Sequence, residues 1–215
     1  MKSLRGIHTL ALACSLLIGS SMAGKAAVTF DLQQVFDGVT PGGTDPWVTV
    51  SITDSGSDAI LTVSTIGTGL AAGDYLKSLY LNFDGSLPLT FTHLSTTGTI
   101  DADTTSQSAN AFPADGHPNN FDIAIVFGDL GNNFDPGESI SWVVAGASAS
   151  QFNVRAAGAV DGYYVAGLIG VDDGKGVKVD SWVTVPEPST YVAAALLMIP
   201  VLVQLRRWTR NKATA

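Results

Sequence analysis

Val48-Thr49-Val50-Ser51-Ile52-Thr53, Asp54-Ser55-Gly56-Ser57-Asp58, Ala59-Ile60-Leu61-Thr62-Val63-Ser64: the reading of residues 48–64 decides the fold class. In an extended chain Val48, Val50 and Ile52 fall on one side, and Thr49, Ser51 and Thr53 on the other. After the polar segment Leu61 and Val63 resume the alternation against Thr62 and Ser64. Two such runs around a glycine-containing turn predict a β-hairpin. A helix is disfavoured, because β-branched residues lose rotamer freedom in it and Ser, Asp and Gly favour turns.

The same pattern recurs outward from this hairpin. Leu79, Leu81 and Phe83 share a face, as do Phe121, Ile123, Ile125 and Phe127, and again Ile140, Trp142 and Val144. Residues 163–171 and 177–185 supply two more runs. Only 145–152 would hold a turn of helix, and the polar stretch 101–120 reads as a long loop. Short strands punctuated by Gly, Asp and Asn predict an all-β, antiparallel β-sandwich or jelly-roll-like domain over 27–185, with a closed barrel as the alternative. Asn-Phe-Asp occurs at 82–84, 120–122 and 133–135. The flanks differ, so the motif predicts core phenylalanines beside polar turn residues and not a repeat.

The chain of 215 residues has a formal charge of −8, but the charge is divided. Residues 27–185 hold 18 acids against Lys77, Arg155, Lys175 and Lys178, a net −14, while the two ends together carry +6. So acidic a domain repels phosphate backbones, which excludes nucleic acid as a partner. The single cysteine, Cys14, lies in the N-terminal apolar run, so the domain has no disulfide.

Residues 1–26 read as a secretory signal peptide: Lys2 and Arg5 precede the apolar 10–18, and small residues allow cleavage after Ala23 or Ala26. At the other end Pro186-Glu187-Pro188-Ser189-Thr190 leads into an apolar run, 191–205, predicted to be a single transmembrane helix. The basic tail 206–212, beginning Arg206-Arg207, would hold that end in the cytoplasm. The run is short for a bilayer and contains Pro200, which suits a temporary anchor.

This order of parts, with Pro186, Glu187, Pro188, Arg206 and Arg207 matching, resembles the PEP-CTERM sorting signal of Gram-negative, exopolysaccharide-producing bacteria. The resemblance covers 186–212. It implies processing by exosortase, a membrane cysteine enzyme that would cut near the Pro-Glu-Pro and pass the ectodomain to the cell envelope, surface or extracellular matrix. Ser78-Leu79-Tyr80-Leu81-Asn82-Phe83-Asp84 is similar to a motif in ectodomains bearing this signal, which brings no activity with it.

No catalytic centre is expected. The domain has two histidines, His93 and His117, and one glutamate, Glu138, with no nucleophile elbow and no zinc-type histidine pair. Calcium is the one cofactor the loops suggest. Asp129, Asn133, Asp135 and Glu138 place four oxygen donors on one turn-rich segment, without the spacing of an EF-hand. Trp47 and Trp182, near strand ends, are the candidate sugar-stacking platform, with core packing as the competing role. The sequence thus predicts an exported, exosortase-processed structural or adhesive protein associated with biofilm or exopolysaccharide. The alternative is a carbohydrate-binding module, and behind it a secreted hydrolase.

Overall fold

The computed structural model describes residues 26–100, 102–114, 120–128, 132–156, 163–172 and 178–185. The predicted hairpin is present. Strands β4 (Val48–Ser55) and β5 (Asp58–Ser64) pair antiparallel from Thr49↔Ser64 to Ser55↔Asp58. Gly56, at φ +70°, takes the first central position of the two-residue turn, where a type II′ geometry requires a positive φ. Val48, Val50, Ile52, Leu61 and Val63 are all fully buried, so the alternation in the sequence is the burial pattern of the strands.

Two antiparallel sheets are built around this pair. The first adds β1 (Ala27–Leu32), β11 (Ser139–Ala145) and β8 (Thr90–Thr97), in the order β1-β4-β5-β11-β8. The second comprises β2 (Gln34–Gly38), β7 (Tyr75–Leu81), β9 (Ala102–Pro113), β10 (Asn120–Phe127), β12 (Val165–Asp172) and β13 (Lys178–Thr184). Its order is β2-β13-β12-β7-β10-β9. A two-residue pair, β3 (Gly43–Thr44) with β6 (Gly69–Leu70), completes the strands.

One apolar cluster joins Leu32, Val50, Ile52, Leu61 and Val63 of the first sheet to Leu76, Leu79, Ile123, Ile125, Val165 and Val183 of the second. Two antiparallel sheets sharing one core are compatible with a β-sandwich. Phe83, Phe121 and Phe134, the centres of the three Asn-Phe-Asp motifs, are buried as expected. The helical turn expected within 145–152 is a single 3-10 turn, Ala149–Phe152.

The polar stretch read as a loop is corrected. Residues Ala102–Pro113 form β9, the outermost strand of the second sheet, paired antiparallel with β10. Such a strand needs no apolar alternation, because water satisfies one edge and one face. Two irregularities interrupt its pairing, and Asn110 adopts φ +52°.

The second sheet carries a further apolar cluster on the face turned away from the shared core. Ala114, Phe121, Ala156, Ala166 and Trp182 are buried there, with Phe36, Tyr80, Tyr163 and Leu168 packed over them. The rings run in a chain: Phe121–Tyr80 at 6.0 Å, Tyr80–Trp182 at 5.1 Å, Trp182–Phe36 at 6.1 Å and Phe36–Tyr163 at 4.7 Å between centroids. These offset and tilted contacts are the favourable arrangements for aromatic pairs, and they stiffen the sheet from outside.

Candidate functional site

The loop carboxylates are placed against backbone amides. Glu138 is 9% exposed, and its Oε1 accepts the Thr99 N–H at 2.8 Å while Oε2 accepts the Asp135 N–H at 2.8 Å. Thr65 locks the same turn: its hydroxyl bonds the Asp135 and Glu138 carbonyls and accepts the Glu138 N–H. Asp74, 2% exposed, accepts from Gly42 N–H at 2.7 Å and Asp172 N–H at 2.8 Å. Asp122 accepts from Phe83 and Asn110, and Asp54 from Ala149. Charge-assisted bonds to backbone donors are among the stronger ones, and here they tie loops far apart in sequence without a disulfide.

This bears directly on the calcium expectation. Asp129 lies outside the described residues. Of the other three donors, Glu138 spends both oxygens on amides, and Asn133 is separated from it in role, lining a cleft described below. Among the described residues no three His, Cys, Asp or Glu side chains gather around a point that would hold a metal. Of the described members of the predicted set, Glu138 is therefore the acceptor of a turn lock.

The tryptophan platform is corrected as well. Trp47 is 5% and Trp182 7% exposed, and stacking on a sugar needs an open ring face. Trp47 belongs to the shared core, and Trp182 lies beneath Tyr80 and Phe36 in the outer cluster.

Among the described residues a cleft of about 380 Å³ opens over β7, β10 and β12. Tyr75, Tyr80, Val126 and Leu168 supply its apolar surface, and Lys77, Ser78 and Asn133 its polar groups. Tyr75 pairs across the sheet with Gly170, and a Cβ on Gly170 would stand 2.7 Å from the tyrosine Cζ. The ring therefore lies directly over the glycine, which an aromatic opposite a strand glycine does to cover exposed backbone. Lys77 Nζ bonds Asp180 Oδ1 at 2.7 Å, so the cation in the cleft is neutralised by its neighbour. Ser78, 4% exposed as a whole residue, also lines the cleft.

In the sequence Asn133 stands out only as a calcium donor and Trp182 only as a stacking ring, and neither Tyr75 nor Gly170 stands out at all. They are 95 positions apart, and nothing local marks either of them. His93, one of the two histidines weighed for catalysis, is exposed and shares a 2.6 Å bond with Thr96. The sorting residues Pro186, Glu187, Pro188, Arg206 and Arg207 and the predicted helix 191–205 lie outside the described residues. Among the described residues no helix is long and apolar enough to cross a membrane. Compared with known protein families, curated proteins and solved structures, the chain matches none.

Proposed function

We propose that this chain is an exported surface or extracellular-matrix protein of a Gram-negative bacterium, processed by exosortase and serving a structural or adhesive role in biofilm or exopolysaccharide association. The observation that carries the reading is the ordered C-terminus: Pro186-Glu187-Pro188, an apolar run over 191–205, and Arg206-Arg207, in a chain that begins with a basic and then apolar leader. The two antiparallel sheets are read as a β-sandwich of jelly-roll kind, the part that remains after the ends are removed. A domain held by a shared core and by carboxylate–amide ties suits display outside the cell, where disulfides are the usual alternative. The role is non-catalytic in this reading. Glu138 and Asp74, the buried carboxylates, act as acceptors for the backbone.

A second reading, a carbohydrate-binding module, is favoured by one observation: the mixed cleft over β7, β10 and β12 with an aromatic ring seated in it. It is compatible with the first, since adhesion to exopolysaccharide requires contact with sugar.

Sorting is tested in an exosortase-bearing host by fractionating the wild-type chain beside Glu187→Ala and the double variant Arg206→Gln/Arg207→Gln. The wild type is expected to leave the inner membrane while the variants accumulate there at their unprocessed length. Equal partition of all three would overturn the assignment.

A further inference from the structure

We propose that the cleft over β7, β10 and β12 is a subsite for a neutral saccharide, with the Tyr75 ring as its stacking surface. The proposal rests on the adhesive reading above and names the chemistry of what is bound.

Three features select the ligand class. First, Tyr75 is pre-oriented. Its ring lies over Gly170, where an added Cβ would meet Cζ at 2.7 Å and Cε1 at 2.8 Å, so a glycine is needed for the ring to sit as it does. A ring fixed before binding loses little entropy when a ligand stacks on it. Second, the polar groups are matched in sign. The Lys77–Asp180 pair presents a donor and an acceptor with no net charge, and Asn133 offers both kinds again. Ser78 adds a hydroxyl at the cleft wall, able to donate and to accept. Third, the surrounding field is negative, since residues 27–185 carry a net −14. It opposes anionic polymers, and the neutralised lysine offers them no compensation.

A ligand with an apolar face, several hydroxyls and no charge fits these conditions, and a pyranose ring is such a ligand. The volume of about 380 Å³ lies at the lower end of the range for small-molecule sites, which suits a terminal or single internal sugar. Trp182 touches none of this directly. It supports Tyr80 from below at 5.1 Å and so acts as a positioning residue.

The test uses the full-length chain, purified in a detergent without a sugar headgroup, and saturation-transfer NMR, which detects millimolar binding. The probes are cellotriose, maltotriose, laminaritriose and chitotriose, with a triuronate as the charged comparator. At least one neutral trisaccharide is expected to bind, and the triuronate is not. Tyr75→Ala and Gly170→Ala are each expected to weaken binding by roughly tenfold, the scale of one aromatic contact. Tyr75→Phe is expected to retain it. Gly170→Ala removes no contacting atom, and its clash is with the far end of a side chain, so its thermal midpoint serves as the control for folding. No binding by any neutral probe, equal binding of the triuronate, or binding undiminished in both Tyr75→Ala and Gly170→Ala would overturn the proposal. Failure here leaves the sorting assignment standing. Conversely, a chain that binds sugar but stays uncut in its host would keep this subsite and lose that assignment.

Discussion

Glu138→Ala is expected to destabilise the domain by about 2–3 kcal/mol, lowering the midpoint of thermal unfolding by roughly 5–10 °C. The carboxylate is 9% exposed and is the acceptor for the amides of Thr99 and Asp135. Its removal leaves both donors without a protein partner and opens the turn that Thr65 clamps from the other side. Each donor left unsatisfied costs about 1–3 kcal/mol when buried, and partial access of water to this turn holds the sum toward the lower figure. Glu138→Gln keeps one acceptor and is expected to lose about half as much. Gly98→Ala reports on the same contact from the other side. Gly98 sits at φ +101°, and a Cβ there would run into Glu138 Oε1, so the carboxylate would be displaced although every hydrogen-bonding group is retained. Chemical denaturation of these three variants, with and without added calcium, separates a turn lock from a metal ligand. A lock gives the same loss in both conditions. A loss that appears only with calcium would assign Glu138 to a metal.

The larger expected effect is in the core. Phe134→Ala should cost about 3–5 kcal/mol, a substantial part of the total stability of a domain this size. Phe134 is fully buried, and its ring packs against Phe127 at 5.0 Å. Its carbonyl accepts the Leu76 N–H at 3.0 Å, a bridge that ties the loop after β10 to the start of β7. Truncation therefore opens a cavity and loosens the segment that carries Asn133 to the cleft. Phe134→Leu, which keeps most of the volume, is expected to cost less than about half as much. Urea denaturation at fixed m-value measures both. A loss under about 1 kcal/mol for Phe134→Ala would mean that this loop is not part of the cooperative core.

The strands that read most clearly in the sequence are those with one face on the shared core. In β4 and β5 the buried residues alternate strictly, because the period of a strand is two and one face meets the core, while in β7, β10 and β11 the same alternation is interrupted by Ser78, Ala124 and Ser141, which are buried as well. The edge strands escaped for the opposite reason. In β8 almost every residue is exposed, and only Phe91 packs against the core, so Thr90–Thr97 has no alternation to read. β9 is polar along most of its length for the same cause.

The site was less legible than the fold. Trp182 stood out in the sequence as a large ring near a strand end, yet the structure buries it in a second cluster on the outer face of its sheet. Alternation assigns that face to solvent, so a cluster assembled there from Phe36, Tyr80, Tyr163 and Phe121 has no local signature. Glu138 was legible as an oxygen donor but not as a lock, since its partners at Thr99 and Thr65 come from elsewhere in the chain. Tyr75 over Gly170 is a cross-strand contact of the same kind.

The most direct test of the proposed function is the intact mass of the native protein, recovered separately from medium, matrix and membrane fractions. A species that begins after residue 23 or 26 and ends within 186–190, found in the medium or matrix, is the expected result, and mass in excess of the chain would report a glycan or a linkage. A species that keeps 191–215 and is confined to the membrane would contradict it.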